Sequence, residues 1–104
     1  MQLKKYRWSR DYESAEEELH KFLDAKGYKT ERWASTKHQV FPQTSPPHDV
    51  KLWCAEGSIF YSVSGQRFSL QPGDALDIPA NSNFEAVAGI SGCVCYEYHA
   101  PVIS

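Results

Sequence analysis

The chain has 104 residues, a formal net charge of −2, and 11 lysines and arginines scattered along its length. A chain of this size builds one hydrophobic core and not two, and its charge gives no electrostatic basis for binding nucleic acid or an anionic membrane. No apolar run approaches a transmembrane length, and the first residues lack the apolar stretch of a signal peptide. We therefore expect one cytoplasmic domain with neither nucleic acid nor membrane as a partner.

Three cysteines, an odd number, argue against a disulfide framework in a chain without an export signal. Cys93 and Cys95 are two residues apart on a predicted strand, so both point to one face, where neighbouring positions are poorly placed to bridge each other. We expect the cysteines to be small buried residues.

The N-terminal part predicts a short strand or arm from Gln2 to Tyr6 and then a helix from about Asp11 to Lys26. Ser14 and Glu17 have the spacing of a capping box, and Gly27 follows the last turn as a C-cap. Apolar residues recur at helical spacing and predict one buried stripe. These residues are Tyr12, Ala15, Leu19, Phe22 and Leu23.

Three extended segments are predicted after the helix, at residues 28–35, 39–43 and 49–55. Trp33 is in the first segment and Trp53 is in the third. Each lies on the face of its strand opposite to the inward-pointing residues, so we expect both to cover an outer surface. Pro46 and Pro47 cannot donate hydrogen bonds to a sheet, so residues 44–48 are predicted to form a loop.

The stretch from Glu56 to Pro79 predicts a β-meander. Alternation of apolar residues indicates a strand from Ser58 to Ser64, and Gly65 supplies the positive φ that a short hairpin needs. The alternation resumes up to Leu70, after which Pro72-Gly73-Asp74 forms a second turn. We expect the Asp74 carboxylate to bond backbone N–H groups of that turn.

The C-terminal part predicts a strand from Phe84 to Ala88, a turn from Gly89 to Gly92 and a closing strand from Cys93 to His99. Short strands with closely spaced turns indicate a compact barrel or sandwich. The helix is expected to pack outside it or to cover one end.

The glycines and prolines of the meander resemble those of a known family. The order Gly57, Gly65, Pro72-Gly73-Asp74 and Pro79 is similar to the centre of a small single-domain cupin. The resemblance implies a mainly β fold, a cupin-like double-stranded β-helix (jelly-roll) barrel with one N-terminal α-helix. It also implies one domain over residues 1–104, with the arm and helix in 1–27 and the barrel in 28–100.

Metal-binding cupins of this kind carry two histidines, an acidic residue and a third histidine, which converge inside the barrel. Carried over position by position, the resemblance places the first two histidines at Thr44 and Pro46, the acidic residue at Val50 and the third histidine at Phe84. None of these side chains supplies the expected nitrogen or carboxylate. We therefore expect the usual metal site to be lost, and we predict neither a metal nor another cofactor.

A different site, built from the remaining polar and soft residues, stays open. His48, His99, Cys54, Cys93 and Cys95 are candidate metal ligands by residue type, although their spacing matches no C-x-x-C or H-x-x-x-H pattern. The sequence contains no nucleophile motif, no Gly-rich phosphate loop and no obvious pair of carboxylates. No catalytic residue is therefore assigned.

The predicted barrel interior is apolar and aromatic. It is either filled by its own side chains or open to a small organic ligand, and the sequence allows both. The candidate pocket residues are Thr44, His48, Val50, Leu52, Cys54, Tyr61, Phe84, Ala86, Cys93 and Cys95.

Three functions fit these observations. The first is a metal-free cupin that binds a small molecule or acts as a regulatory module. The second is a cupin enzyme of the dioxygenase or isomerase type, with an unorthodox His/Cys metal site or, as an isomerase, without metal. The third is a structural homodimer, for which Trp8, Trp33 and Trp53 supply aromatic residues of the kind enriched at interfaces. A homodimer is compatible with either of the first two functions.

Overall fold

The computed structural model describes residues 2–8 and 16–100. In chain order, the elements within these ranges are β1 (Lys4–Arg7), α1 (Glu16–Lys26), β2 (Glu31–Ser35), β3 (Val40–Thr44), β4 (Val50–Val63), β5 (Gln66–Leu70), β6 (Asp74–Ile78) and β7 (Phe84–His99). The predicted first turn of the helix, with Tyr12, Ser14 and Ala15, lies outside the described residues. No helix in the described ranges is long and apolar enough to span a bilayer.

The described strands form one antiparallel sheet with the order β1-β6-β4-β7-β2, to which β3 is added through β7 and β5 through β4. The long strands β4 and β7 pair along their length, from Val50 opposite His99 to Val63 opposite Phe84. Each has different neighbours at its two ends: β6 and β5 flank β4, and β2 and β3 flank β7. The sheet thereby curls into a barrel, and the predicted mainly β fold with one helix is confirmed.

Two glycines bend the long strands instead of ending them. Gly57 and Gly92 have φ angles of 71° and 70°, and the pairing of β4 with β7 shifts register around Gly57. A Cβ atom on Gly57 would lie 2.1 Å from the carbonyl oxygen of Gly92, so the two backbones approach too closely for a side chain. The predicted turn from Gly89 to Gly92 is wrong, because glycine here marks a bulge inside a continuous strand.

The turns at the two ends of β5 follow the sequence prediction. Ser64 and Gly65 join β4 to β5 with φ angles of 48° and 85°, as a two-residue hairpin loop requires. Asp74 Oδ2 accepts a hydrogen bond from the backbone N–H of Gln71 at 2.9 Å, and its Oδ1 accepts one from Arg7 Nη1 at 2.6 Å. The Asp74 carboxylate thus has the expected role in the turn and also ties β1 to the sheet.

Hydrophobic side chains pack on both faces of the sheet. One cluster, which includes Ile59 and Leu76, packs in the barrel interior. On the outer face, Leu19 and Leu23 of α1 are at most 1% exposed and belong to the same cluster as Trp53. The helix therefore covers the outside of the sheet with Leu19 and Leu23 of the predicted apolar stripe.

Trp53 and Trp33 lie on opposite sides of the sheet. Trp53 faces outward and is buried beneath the helix. Trp33 pairs with Cys95, and directly paired residues share a face, so Trp33 packs on the interior side with its ring centroid 5.0 Å from that of Phe41. The expectation that Trp33 covers an outer surface is wrong, because the register of β2 against β7 decides which face is inside, and alternation alone does not define that register.

Candidate ligand-binding site

An open pocket of about 390 Å³ lies between β2, β3, β4 and β7. Each strand contributes one aromatic ring to its wall: Trp33, Phe41, Tyr61 and Phe84. The polar side chains that face it are Thr44, Glu97 and His99. Glu85 also borders it, but it lies between Phe84 and Ala86 on β7 and therefore points to the other face of the sheet. The volume is in the range of sites that bind small molecules.

The register of the sheet brings the aromatic residues together. Phe41 and Tyr61 both pair with Ala86, from opposite sides of β7. Directly paired residues share a face, so these three residues form one row across β3, β7 and β4. In the next inward row Thr44 pairs with Phe84, whose ring centroid lies 6.2 Å from that of Tyr61. The aromatic residues of several strands thus meet at one place.

Three titratable side chains form a hydrogen-bonded series beside this wall. Glu97 Oε2 lies 2.6 Å from His99 Nε2, and His99 Nδ1 lies 2.5 Å from His48 Nε2. Glu97 and His99 are two positions apart on β7 and share a face, whereas His48 precedes β4 and reaches His99 because Val50 pairs with His99. The side chains of Glu97 and His99 are 23% and 38% exposed. We call these three hydrogen-bonded side chains the Glu97–His99–His48 network.

The structure divides the predicted pocket residues between the pocket and the core. Four of them line the pocket: Thr44, Tyr61, Phe84 and Ala86. His48 reaches it through His99. The others belong to the interior cluster and are at most 4% exposed: Val50, Leu52, Cys54, Cys93 and Cys95. Ligand binding by these residues stays a prediction.

Sequence reasoning missed Glu97, Trp33 and Phe41 as pocket residues. Glu97 could have been found from the sequence. It lies two positions from both Cys95 and His99 and therefore shares their face of the strand. A carboxylate on an inward face needs a hydrogen-bonding partner, which marks it as a candidate site residue. Trp33 and Phe41 carried no such signal, since the registers of β2 and β3 against β7 decide where they point.

Comparison with known proteins identifies the fold. No protein-family model matches the chain, and no curated protein matches it. The structure superimposes on KdgF from Halomonas sp. with a TM-score of 0.62 and 20% identity, over 70% of this chain and 68% of KdgF. A DUF861 family protein from Thermotoga maritima matches with a TM-score of 0.64 and 11% identity, over 95% of this chain and 100% of that protein.

An RmlC-like cupin from Shewanella frigidimarina matches with a TM-score of 0.62 and 18% identity, over 69% of this chain and 65% of that one. The protein has the cupin fold. The resemblance seen in the glycines and prolines is therefore confirmed for the fold. The chain spans just under two thirds of this RmlC-like cupin.

The residues at the cupin metal positions do not fit a metal. Thr44, Pro46 and Phe84 line the pocket and Val50 is buried, and none of them offers an imidazole or a carboxylate. Within residues 2–8 and 16–100, no group of three or more His, Cys, Asp or Glu side chains is arranged to hold a metal ion. In the Glu97–His99–His48 network the two nitrogens of His99 point to different partners, so the side chains do not converge on one point.

The three cysteines are free and buried inside the barrel, as expected. Hydrogen bonding to Cys54, then to Cys93, together with burial raises the pKa of the Cys95 thiol well above its usual value. The pKa of Cys93 is instead lowered to about 7, chiefly by hydrogen bonding to Cys95 against the opposing effect of burial, with a smaller contribution from Ser35 Oγ, 3.2 Å from the Cys93 sulfur. The histidines bond to each other and to Glu97, so the residues of the suggested His/Cys metal site are divided between two groups.

Proposed function

We propose that this cupin-fold protein binds a small organic molecule in the aromatic pocket, without the metal that metal-binding cupins use. The observation that supports this most is the composition of the wall, where Thr44, Pro46 and Phe84 stand at metal-ligand positions among aromatic rings. Aromatic faces bind apolar and ring-shaped groups, and a few polar groups orient them.

The charge of the pocket narrows the class of ligand. The Glu97 carboxylate faces it, and its described lining includes no lysine or arginine. This carboxylate repels an anionic group and accepts hydrogen bonds from a hydroxyl or amino group. The pocket therefore favours a neutral or cationic ring compound that carries a hydrogen-bond donor.

Narrowing the pocket tests this proposal. Thr44→Trp adds a large ring to an exposed lining residue, whereas Gln43→Trp adds the same ring to the preceding residue of β3, which does not line the pocket. We expect thermal-shift assays and native mass spectrometry with neutral, cationic and anionic phenols to show binding of neutral or cationic members by wild type and Gln43→Trp. Thr44→Trp should lose at least about tenfold in affinity, which corresponds to about 1.4 kcal/mol.

Two results would contradict the proposal. Equal affinity of the two tryptophan variants would place the ligand elsewhere on the protein. A wild-type protein that binds no member of the panel would remove the pocket as a site for this class of molecule.

We also propose a homodimer, on a surface that differs from the one the tryptophans suggested. Trp53 is buried beneath α1, Trp33 belongs to the pocket wall, and the ring centroid of Trp8 lies 6.1 Å from that of Phe22. These rings are used within the subunit, so they are not free anchors for a partner.

An exposed apolar row on the outer face of the sheet supports the dimer instead. Val40, Val87 and Phe60 are 66%, 39% and 50% exposed and are directly paired across β3, β7 and β4. Beside this row, Ser62 pairs with Glu85 on one side and Arg67 on the other. A twofold axis parallel to β4 would bring each Arg67 to the Glu85 of the other copy, so the surface is complementary to itself in charge.

A further inference from the structure

We propose that Glu97 is an acid–base residue for a molecule bound in the pocket, and that His99 and His48 carry its proton to and from the outside. This inference rests on the ligand-binding function proposed above. Glu97 lines the pocket, whereas both nitrogens of His99 are engaged, Nε2 by Glu97 and Nδ1 by His48. Among the described residues, none hydrogen-bonds to Glu97 Oε1. That oxygen is the part of the network available to a bound molecule.

The Glu97–His99–His48 network has two complementary arrangements of its protons. In the first, the Glu97 carboxylate accepts a hydrogen bond from His99 Nε2–H, and His99 Nδ1 accepts one from His48 Nε2–H. A proton added to His48 Nδ1 from solvent allows the His48 Nε2 proton to move to His99 Nδ1 and the His99 Nε2 proton to move to Glu97. In the resulting arrangement Glu97 is a carboxylic acid and both imidazoles are neutral. One proton has entered, and no charge remains on the rings.

This exchange suits proton transfer at a carbon next to a carbonyl group. The Glu97 carboxylate takes the proton, and the electron pair of the C–H bond becomes the double bond of an enolate. Return of the proton to the far carbon of a conjugated enolate moves a double bond, and its return to the same carbon allows exchange with solvent through the network. Neither step consumes an oxidant, a reductant or another reactant. The substrate class is therefore a neutral ring compound with a carbonyl group and an adjacent C–H bond.

The charged and titratable groups around the network distinguish Glu97 from Glu85, the other acidic residue that borders the pocket. Burial, followed by the charges of Cys95 and Glu97, raises the pKa of Tyr61 well above its usual value, so Tyr61 stays protonated. Asp49, next to His48, accepts a hydrogen bond from the backbone N–H of Ala80 at 2.8 Å. Glu85 borders the same pocket but points to the outer face of the sheet, and within the described residues no hydrogen bond joins it to an imidazole. Glu85 is thus a matched control for Glu97.

The probe 5-nitrobenzisoxazole tests the acid–base role. This neutral ring compound loses its C–H proton to a base while its N–O bond breaks, and it gives a coloured cyanophenolate without a cofactor. At pH 7 we expect Glu97→Gln to lower kcat about 100-fold, the low end of the gain from a general base, with little change in KM. Glu85→Gln should keep kcat within about threefold of wild type, and tryptophan fluorescence reports binding of the probe to each variant.

Nuclear magnetic resonance of the imidazole nitrogens tests the path through the two histidines. His48 makes its hydrogen bond to His99 and not to Glu97. We expect Glu97→Gln to shift the nitrogen resonances of His48 as well as those of His99, because a change at one end alters the proton arrangement along the whole network. Glu85→Gln should leave the resonances of both histidines unchanged.

Each alternative result would overturn a specific part of the inference. The assigned roles would be refuted if Glu85→Gln lost rate and Glu97→Gln did not. They would also be refuted if the nitrogen resonances of His48 did not change in Glu97→Gln. A probe that saturates the pocket but reacts no faster than with free acetate would refute the acid–base role and leave ligand binding intact. A probe that does not saturate would count against the acid–base role alone, since the phenol panel tests ligand binding separately.

Discussion

Cys93 combines burial with an acidic thiol. It is 4% exposed, and hydrogen bonding to Cys95 lowers its pKa from 9.0 to about 7, although burial acts in the opposite direction. The hydroxyl of Ser35 adds to the lowering. The folded protein therefore holds a thiolate at pH values where the unfolded chain keeps the thiol protonated.

This pKa gives the stability a pH dependence of defined sign. Because the pKa of Cys93 is lower in the folded state, the thiolate contributes its full stability above about pH 9, and that contribution is lost as the pH falls through about 7. We expect the free energy of unfolding of wild type, relative to Cys93→Ser, to increase from about pH 7 to about pH 9 in urea titrations. Ser35→Ala should move this increase to higher pH. A difference between wild type and Cys93→Ser that is independent of pH would show that the thiol is not acidic.

At the scale of residues, the sequence was informative about local roles and silent about distant partners. The role of Asp74 follows from the Pro72-Gly73-Asp74 turn in which it lies. Glu97 was missed because the importance of its carboxylate depends on a second imidazole, and the two histidines of the network are 51 residues apart in sequence. Nothing in the spacing of those residues brings them together before the sheet has formed.

At the scale of elements, the bend of β4 depends on a close approach between two backbones. Gly57 and Gly65 have φ angles of 71° and 85°, so alanine at either position strains the backbone by about 1–3 kcal/mol. The two sites differ in space. A Cβ on Gly57 meets the Gly92 carbonyl oxygen at 2.1 Å, whereas nothing lies within 4 Å of a Cβ on Gly65.

Comparing Gly57→Ala with Gly65→Ala separates the free-energy cost of a steric clash between strands from the cost of a positive φ angle at alanine. We expect Gly57→Ala to lower the free energy of unfolding by about 4 kcal/mol or more, because β4 and β7 must move apart and the alanine backbone is also strained. Gly65→Ala should cost about 1–2 kcal/mol, since only its conformation is unfavourable. Denaturant titration measures both. Similar losses would mean that β4 and β7 separate at the bulge with little cost.

These two glycines also show why the ends of the strands were harder to predict than their presence. Both lie between runs of alternating apolar residues, yet Gly65 reverses the chain and Gly57 bends a continuous strand. The difference comes from the pairing of β4 with β7 on both sides of Gly57. Long-range pairing overrides a local signal that is the same for a turn and for a bulge.

At the scale of the molecule, the apolar row of Val40, Val87 and Phe60 predicts self-association. Phe60→Lys places a charge in the row, whereas Ile90→Lys places the same charge at a residue that is 77% exposed and outside it. We expect analytical ultracentrifugation at tens of micromolar to find dimers for wild type and Ile90→Lys. Phe60→Lys should weaken association at least about tenfold, because a lysine at the centre of an interface must be desolvated. A monomeric wild type would contradict the proposed dimer.

The fold could be predicted from the sequence more fully than the site. Turn glycines and prolines define the backbone of a cupin, and solved structures share this fold at 11% to 20% identity. The residues that determine function change independently of that backbone. Whether the interior is open depends on the summed volumes of side chains from four strands, which no single segment contains.

The position of His48 and His99 has a consequence for the order in which the molecule assembles. They meet at the end of the β4–β7 ladder where Val50 faces His99, and the chain between them is long. The entropic cost of closing a loop increases with its length, which favours growth of the ladder from the Val63–Phe84 end, where the intervening chain is shorter. The contact between the two imidazoles then belongs to the last pairs of the ladder to close. A molecule whose barrel is incomplete has the residues of the pocket but not the proton path that we propose for it.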